Sequence, residues 1–101
     1  MNSLQITTEI NEVTTQLWQG KDIDVEKITK KINDSVQEII NYMPKMKQVG
    51  VNFPIEFVTA AMRKLTIAIE KRDDYMLADN LFFEWKEIFT VFGEIITEIE
   101  G

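Results

Sequence analysis

An all-α, up-down bundle of four helices, two long and two shorter, is the fold predicted by these 101 residues. Three observations carry that prediction. Apolar residues recur at steps of three and four along nearly the whole chain, the rhythm of helices with one buried face. No stretch alternates apolar and polar residues at the period of a strand. Only four glycines and two prolines occur, most of them where the helical rhythm breaks. A composition 45% hydrophobic, with ten aromatic residues among six Phe, two Trp and two Tyr, supplies the apolar surface that offsets ordering entropy, so the chain should fold. Its length favours one domain over 1–101.

Ile6, Ile10, Val13 and Leu17 place a narrow apolar stripe on a first helix over 3–18, which Gly20 closes. The narrow stripe makes this the weakest member, suited to the edge of a three-helix core or to exchange into a second copy. Asp22 and Asp24 are candidate caps for a second helix over 24–48, built on Val25, Ile28, Ile32, Val36, Ile39, Met43 and Met46. Pro44 falls inside that pattern and predicts a kink or a loosened last turn. Gly50-Val51-Asn52-Phe53-Pro54 breaks the chain and puts a proline in the first turn of a third helix over 54–71. Phe57, Val58, Ala61, Met62, Leu65, Ala68 and Ile69 give that helix its buried face. Asp73 and Asp74 interrupt it and offer the next cap. The final helix, over 74–100, carries Leu77, Leu81, Trp85, Ile88, Phe92, Ile95 and Ile99 at steps of 4, 4, 3, 4, 3 and 4, a bundle seam. Short connections between the four favour antiparallel neighbours.

The formal charge of −6 works against nucleic acid and anionic membranes as partners, since both select clustered Lys and Arg. Within 75–101 Lys86 stands alone against six acids. With neither cysteine nor histidine the chain lacks a thiolate nucleophile, a disulfide framework, the commonest metal ligands and the commonest neutral-pH base. No cofactor and no small-molecule substrate are expected. Met1-Asn2-Ser3-Leu4-Gln5 has neither the basic nor the apolar region of a secretory leader, and no run approaches the roughly 20 apolar residues that span a bilayer. A cytoplasmic protein is expected.

Carboxylates are the remaining catalytic candidates. Glu9-x-x-Glu12, Glu70-x-x-Asp73 and Glu84-x-x-Glu87 each set two acids one helical turn apart. Helical nucleotide pyrophosphatases build magnesium sites from such pairs, so an all-α, magnesium-dependent hydrolase of nucleotides or phosphoesters using Glu9, Glu12, Glu70 and Asp73 is one alternative. Solvated helix faces carry the same spacing, and that plainer explanation outweighs it. Asp22-x-Asp24-x-Glu26 opens like a calcium loop but has Lys27 where such loops require glycine. A di-iron site would need the absent histidines.

The informative deviation is apolar. On a wheel of the final helix, Leu77, Leu81, Phe82, Trp85, Ile88, Phe89, Phe92, Ile95, Ile96 and Ile99 share one arc of about 140°. Met76 and Phe83 fall outside it, beside Asp79, and on the third helix Ile67 points away from the apolar face. A Met and a Phe together on a polar face suggest a contact surface, unless the first helix covers them.

Residues 68–84 contain a charged turn followed by Leu77-Ala78-Asp79-x-Leu81-x-Phe83-Glu84. This segment resembles an uncharacterised family of small helical bacterial proteins, whose pattern is Leu-Ala-Asp-x-Leu, a variable residue, an aromatic and Glu. Glu87 stands where that family often has proline. The resemblance implies a helical fold and carries no activity. In size, acidity and helical content the chain is also similar to flagellar and secretion export chaperones, which hold an amphipathic client helix in an apolar groove. The expected function is therefore that of a non-enzymatic adaptor or accessory protein, working as a homodimer or on another protein through Met76, Asp79, Phe83 and Ile67.

Overall fold

In a computed structural model that describes residues 3–100, the chain is all-helical, with no strand among those residues. Helix α1 spans Ser3–Trp18, α2 Val25–Gln48 and α3 Ile55–Lys71. The fourth rod runs without interruption through α4 (Asp74–Asp79), a π-helical turn (Asn80–Trp85) and α5 (Lys86–Glu100). No helix among the described residues is long and apolar enough to cross a membrane.

Local chemistry sets the boundaries. Asp24 caps α2 by accepting the Lys27 N–H at 3.1 Å, and Asp73 caps α4 by accepting that of Met76 at 3.0 Å. Two helices close on glycines in the left-handed region, Gly20 at φ 73° and Gly50 at φ 81°. In both cases paired backbone bonds satisfy the last carbonyls, Lys21 to Gln16 and Gly20 to Leu17, then Val51 to Met46 and Gly50 to Lys47. α3 closes in the same way, with Asp73 bonded to Ala68 and Arg72 to Ile69. There a non-glycine residue, Arg72, takes the left-handed position at φ 52°. Pro54 falls one place earlier than predicted, as the residue before the first turn of α3. α2 continues past Pro44 to Gln48; the loosening is confined to its end, where the Val49 N–H is shared between the Lys45 and Met46 carbonyls at 3.3 and 3.2 Å.

One end of the bundle gathers Leu17, Val25, Ala68 and Leu77. Towards the other, Tyr42 and Phe53 each meet the Phe92 ring edge-on, at 5.8 and 6.0 Å, and the Tyr42 phenol donates to Glu100. The order is therefore up, down, up, down, in a body of 43 × 23 × 19 Å. The fourth rod is the central element, packed against α1, α2 and α3.

That arrangement corrects the place expected for α1. It packs against all three segments of the fourth rod, burying Ile6, Ile10, Thr14 and Leu17. Thr14 widens the stripe without an unpaired polar atom, because its hydroxyl donates to the Ile10 carbonyl at 2.6 Å. Glu9 further ties α1 to Lys31 of α2 at 2.6 Å. Phe57 is also displaced from its expected role. It sits one residue, or about 100° of rotation, before the buried series Val58, Ala61, Leu65 and Ala68, and is exposed. Phe53, in the connection, fills that end of the core instead.

Candidate functional site: an aromatic patch on a π-helical turn

Asn80 is out of keeping with the apolar stripe around it, and it is completely buried. An amide is tolerated there only if its polar atoms find partners. The Asn80 Nδ2 donates to the Ala61 carbonyl of α3 at 3.1 Å and to Glu84 Oε1 at 3.3 Å, while its Oδ1 accepts the Trp85 indole N–H at 2.9 Å. Trp85 is itself fully buried and stacks on Phe89, with 5.6 Å between ring centroids. Glu84 extends the network to Lys64 of α3 at 3.5 Å. In a regular helix, residues five apart point roughly 140° away from each other. A π turn, closed by i→i+5 bonds, brings them onto one side. The widened turn over Asn80–Trp85 is thus what lets both residues face the interior.

The same turn sets the outward side chains. Phe83 stands 63% exposed. Its ring meets that of half-buried Phe82 edge-on at 5.1 Å, and Phe82 in turn meets Trp18 of α1 at 5.3 Å. Trp18 is 48% exposed, and the Lys86 ammonium sits 4.5 Å over the Phe82 ring. Three rings from two helices form one patch whose outer members are open to solvent. Large aromatics in such a cluster tend to mark a contact, since they combine apolar area with low side-chain entropy.

The four residues expected at a contact surface have different surroundings. Asp79 and Phe83 are exposed one turn apart on the fourth rod. Met76 turns partly inward and packs against the core. Ile67, on α3, is half-buried. α1 does approach this region, yet its Trp18 covers Phe82 and leaves Phe83 open. Sequence reasoning missed Trp18, although it lies one residue off the Ile6–Leu17 stripe. It also missed Asn80, whose trace is the double four-residue step Leu77, Leu81, Trp85.

A second surface feature is an apolar groove of about 840 Å³ at the far end of α2. Ile40, Met43, Pro44 and Lys47 form one wall, and Phe53 and Ile55 line it from the other side. The carboxylates named for a magnesium site do not assemble one. Glu9 is paired with Lys31, the Asp73 carboxylate is engaged as a helix cap, and no three acids among the described residues could hold a metal ion together. Their spacing is satisfied by two separate helix faces. Near Glu100, the Tyr42 phenol is held above the ordinary tyrosine range, chiefly because it donates a hydrogen bond to that carboxylate.

Compared with known proteins, the chain matches no family model, no curated protein and no solved structure.

Proposed function

We propose that this chain is a cytoplasmic adaptor or accessory protein that acts by protein–protein contact, through the patch formed by Trp18, Phe82 and Phe83. The observation that carries the reading is the exposure of Phe83 in ring contact with Phe82, beside the partly open Trp18. Covering the open parts of these rings would remove about 250 Å² from water, a gross gain of about 6 kcal/mol on this side of an interface. A photo-crosslinking residue at position 83 or 18, introduced in the native cell, should yield discrete adducts. The same residue at exposed Gln37 on α2 should yield none. Adducts equally abundant from all three positions would count against the patch.

A second reading draws on the groove. Ile40, Met43, Pro44 and Lys47 follow the i, i+3, i+4, i+7 pattern of a helix wall that another helix can lie against, as in an export-chaperone-like protein holding an amphipathic client. On that reading Met43→Asp abolishes client capture while Phe83→Ala leaves it intact.

A further inference from the structure

We infer that the partner seated on the aromatic patch is a basic segment of another protein, and not a second copy of this chain; this rests on the protein-contact reading above. Residues 75–101 hold six acids, Asp79, Glu84, Glu87, Glu94, Glu98 and Glu100, and one base. Glu84 is paired with Lys64, Glu100 accepts from Tyr42, and the one base, Lys86, lies over the Phe82 ring. Asp79 and Glu87 are exposed one turn before and one turn after Phe83, and neither makes an ion pair among the described residues. Two unpaired carboxylates, Asp79 and Glu87, therefore flank the rings against the single ammonium of Lys86, and the charge beside the patch is net negative.

This charge decides between occupants. A two-fold dimer through Phe83 brings the same surface of both copies together. With the rods antiparallel, Asp79 of one copy meets Glu87 of its partner; with the rods parallel, like residue meets like. Either way acid faces acid, and such juxtaposition disfavours the pair. A segment carrying one large apolar side chain between Lys or Arg residues meets both demands. The apolar group covers Phe83 and Trp18, the cations sit against Asp79 and Glu87, and a guanidinium can also stack on an exposed ring.

The test uses two synthetic helical peptides of about 18 residues with the same Leu/Trp stripe, one with Lys on its polar face and one with Glu at every such position. The protein should bind the Lys peptide at low salt at least about tenfold more tightly than the Glu peptide, and the preference should shrink as salt shortens the screening length. Phe83→Ala and the double change Asp79→Lys/Glu87→Lys should each weaken Lys-peptide binding about tenfold. Glu56→Lys, an exposed acid on the first turn of α3, should leave it unchanged. Sedimentation at low salt should find the protein alone monomeric. A low-salt dimer that Phe83→Ala dissolves would overturn the inference in favour of a second copy. Failure of the Lys peptide to bind, or equal binding of both peptides with Phe83→Ala weakening both, would overturn the charge preference while leaving the patch in place. Lys-peptide binding indifferent to Phe83→Ala would defeat the patch itself.

Discussion

Replacing Asn80 by alanine tests the link between the buried network and the π turn. The change removes the acceptor of the Trp85 indole N–H, a donor with no solvent exposure, and leaving such a group unbonded costs about 1–3 kcal/mol. It also vacates the space of the amide between α3 and the fourth rod, which adds about 1 kcal/mol. The sum, about 2–4 kcal/mol, should appear as a lower urea midpoint by circular dichroism, and as a fall in Tm of about 10–30 °C for a domain of this size. Trp85→Phe should lose about 1–3 kcal/mol, because it strands the Asn80 Oδ1 in the same dry site. Combining Asn80→Ala with Trp85→Phe removes both polar groups together, so the double variant should be more stable than the sum of the two losses by at least about 1 kcal/mol. Strict additivity, or a cost for Asn80→Ala under about 0.5 kcal/mol, would refute the view that this pair holds the turn.

Other outcomes follow from single features. Arg72→Gly should stabilise the protein by about 0.5–1 kcal/mol in equilibrium unfolding, because glycine adopts the φ of 52° without a Cβ clash. An ultraviolet titration should resolve one phenol ionising above the ordinary value of about 10, and Glu100→Gln should bring it down. The Tyr42–Glu100 bond requires the protonated phenol, so its contribution is complete below that ordinary value and is lost as pH rises through the raised one. Glu9→Gln should cost about 0.5–1 kcal/mol at low salt and less at high salt, since the Lys31 pair is only partly shielded from water.

Much of the fold was legible because its signals are local. The glycines after α1 and α2, the caps Asp24 and Asp73, and the three- and four-residue steps of Ile and Leu each report on one turn of chain. What escaped was set by neighbours. The importance of α1 depends on Thr14 hiding its hydroxyl against its own backbone and joining the stripe, which a count of apolar residues does not register. The inward turn of Asn80 depends on a carbonyl of α3 and an indole five residues on, and a wheel drawn at 100° per residue separates that pair. Phe83 could be placed on the polar side of the fourth rod because it lies far from the seam. Trp18 could not be joined to it, since their proximity through Phe82 is a fact of how α1 packs.

Phe83 is a large apolar side chain held at the surface by a turn whose buried side is fully hydrogen-bonded, and the contact reading depends on its contributing little to the core. The most direct check is the equilibrium unfolding free energy of Phe83→Ala. A ring that serves a partner predicts a loss under about 1 kcal/mol; a loss of about 3–5 kcal/mol, as for truncation of a buried aromatic, would contradict it.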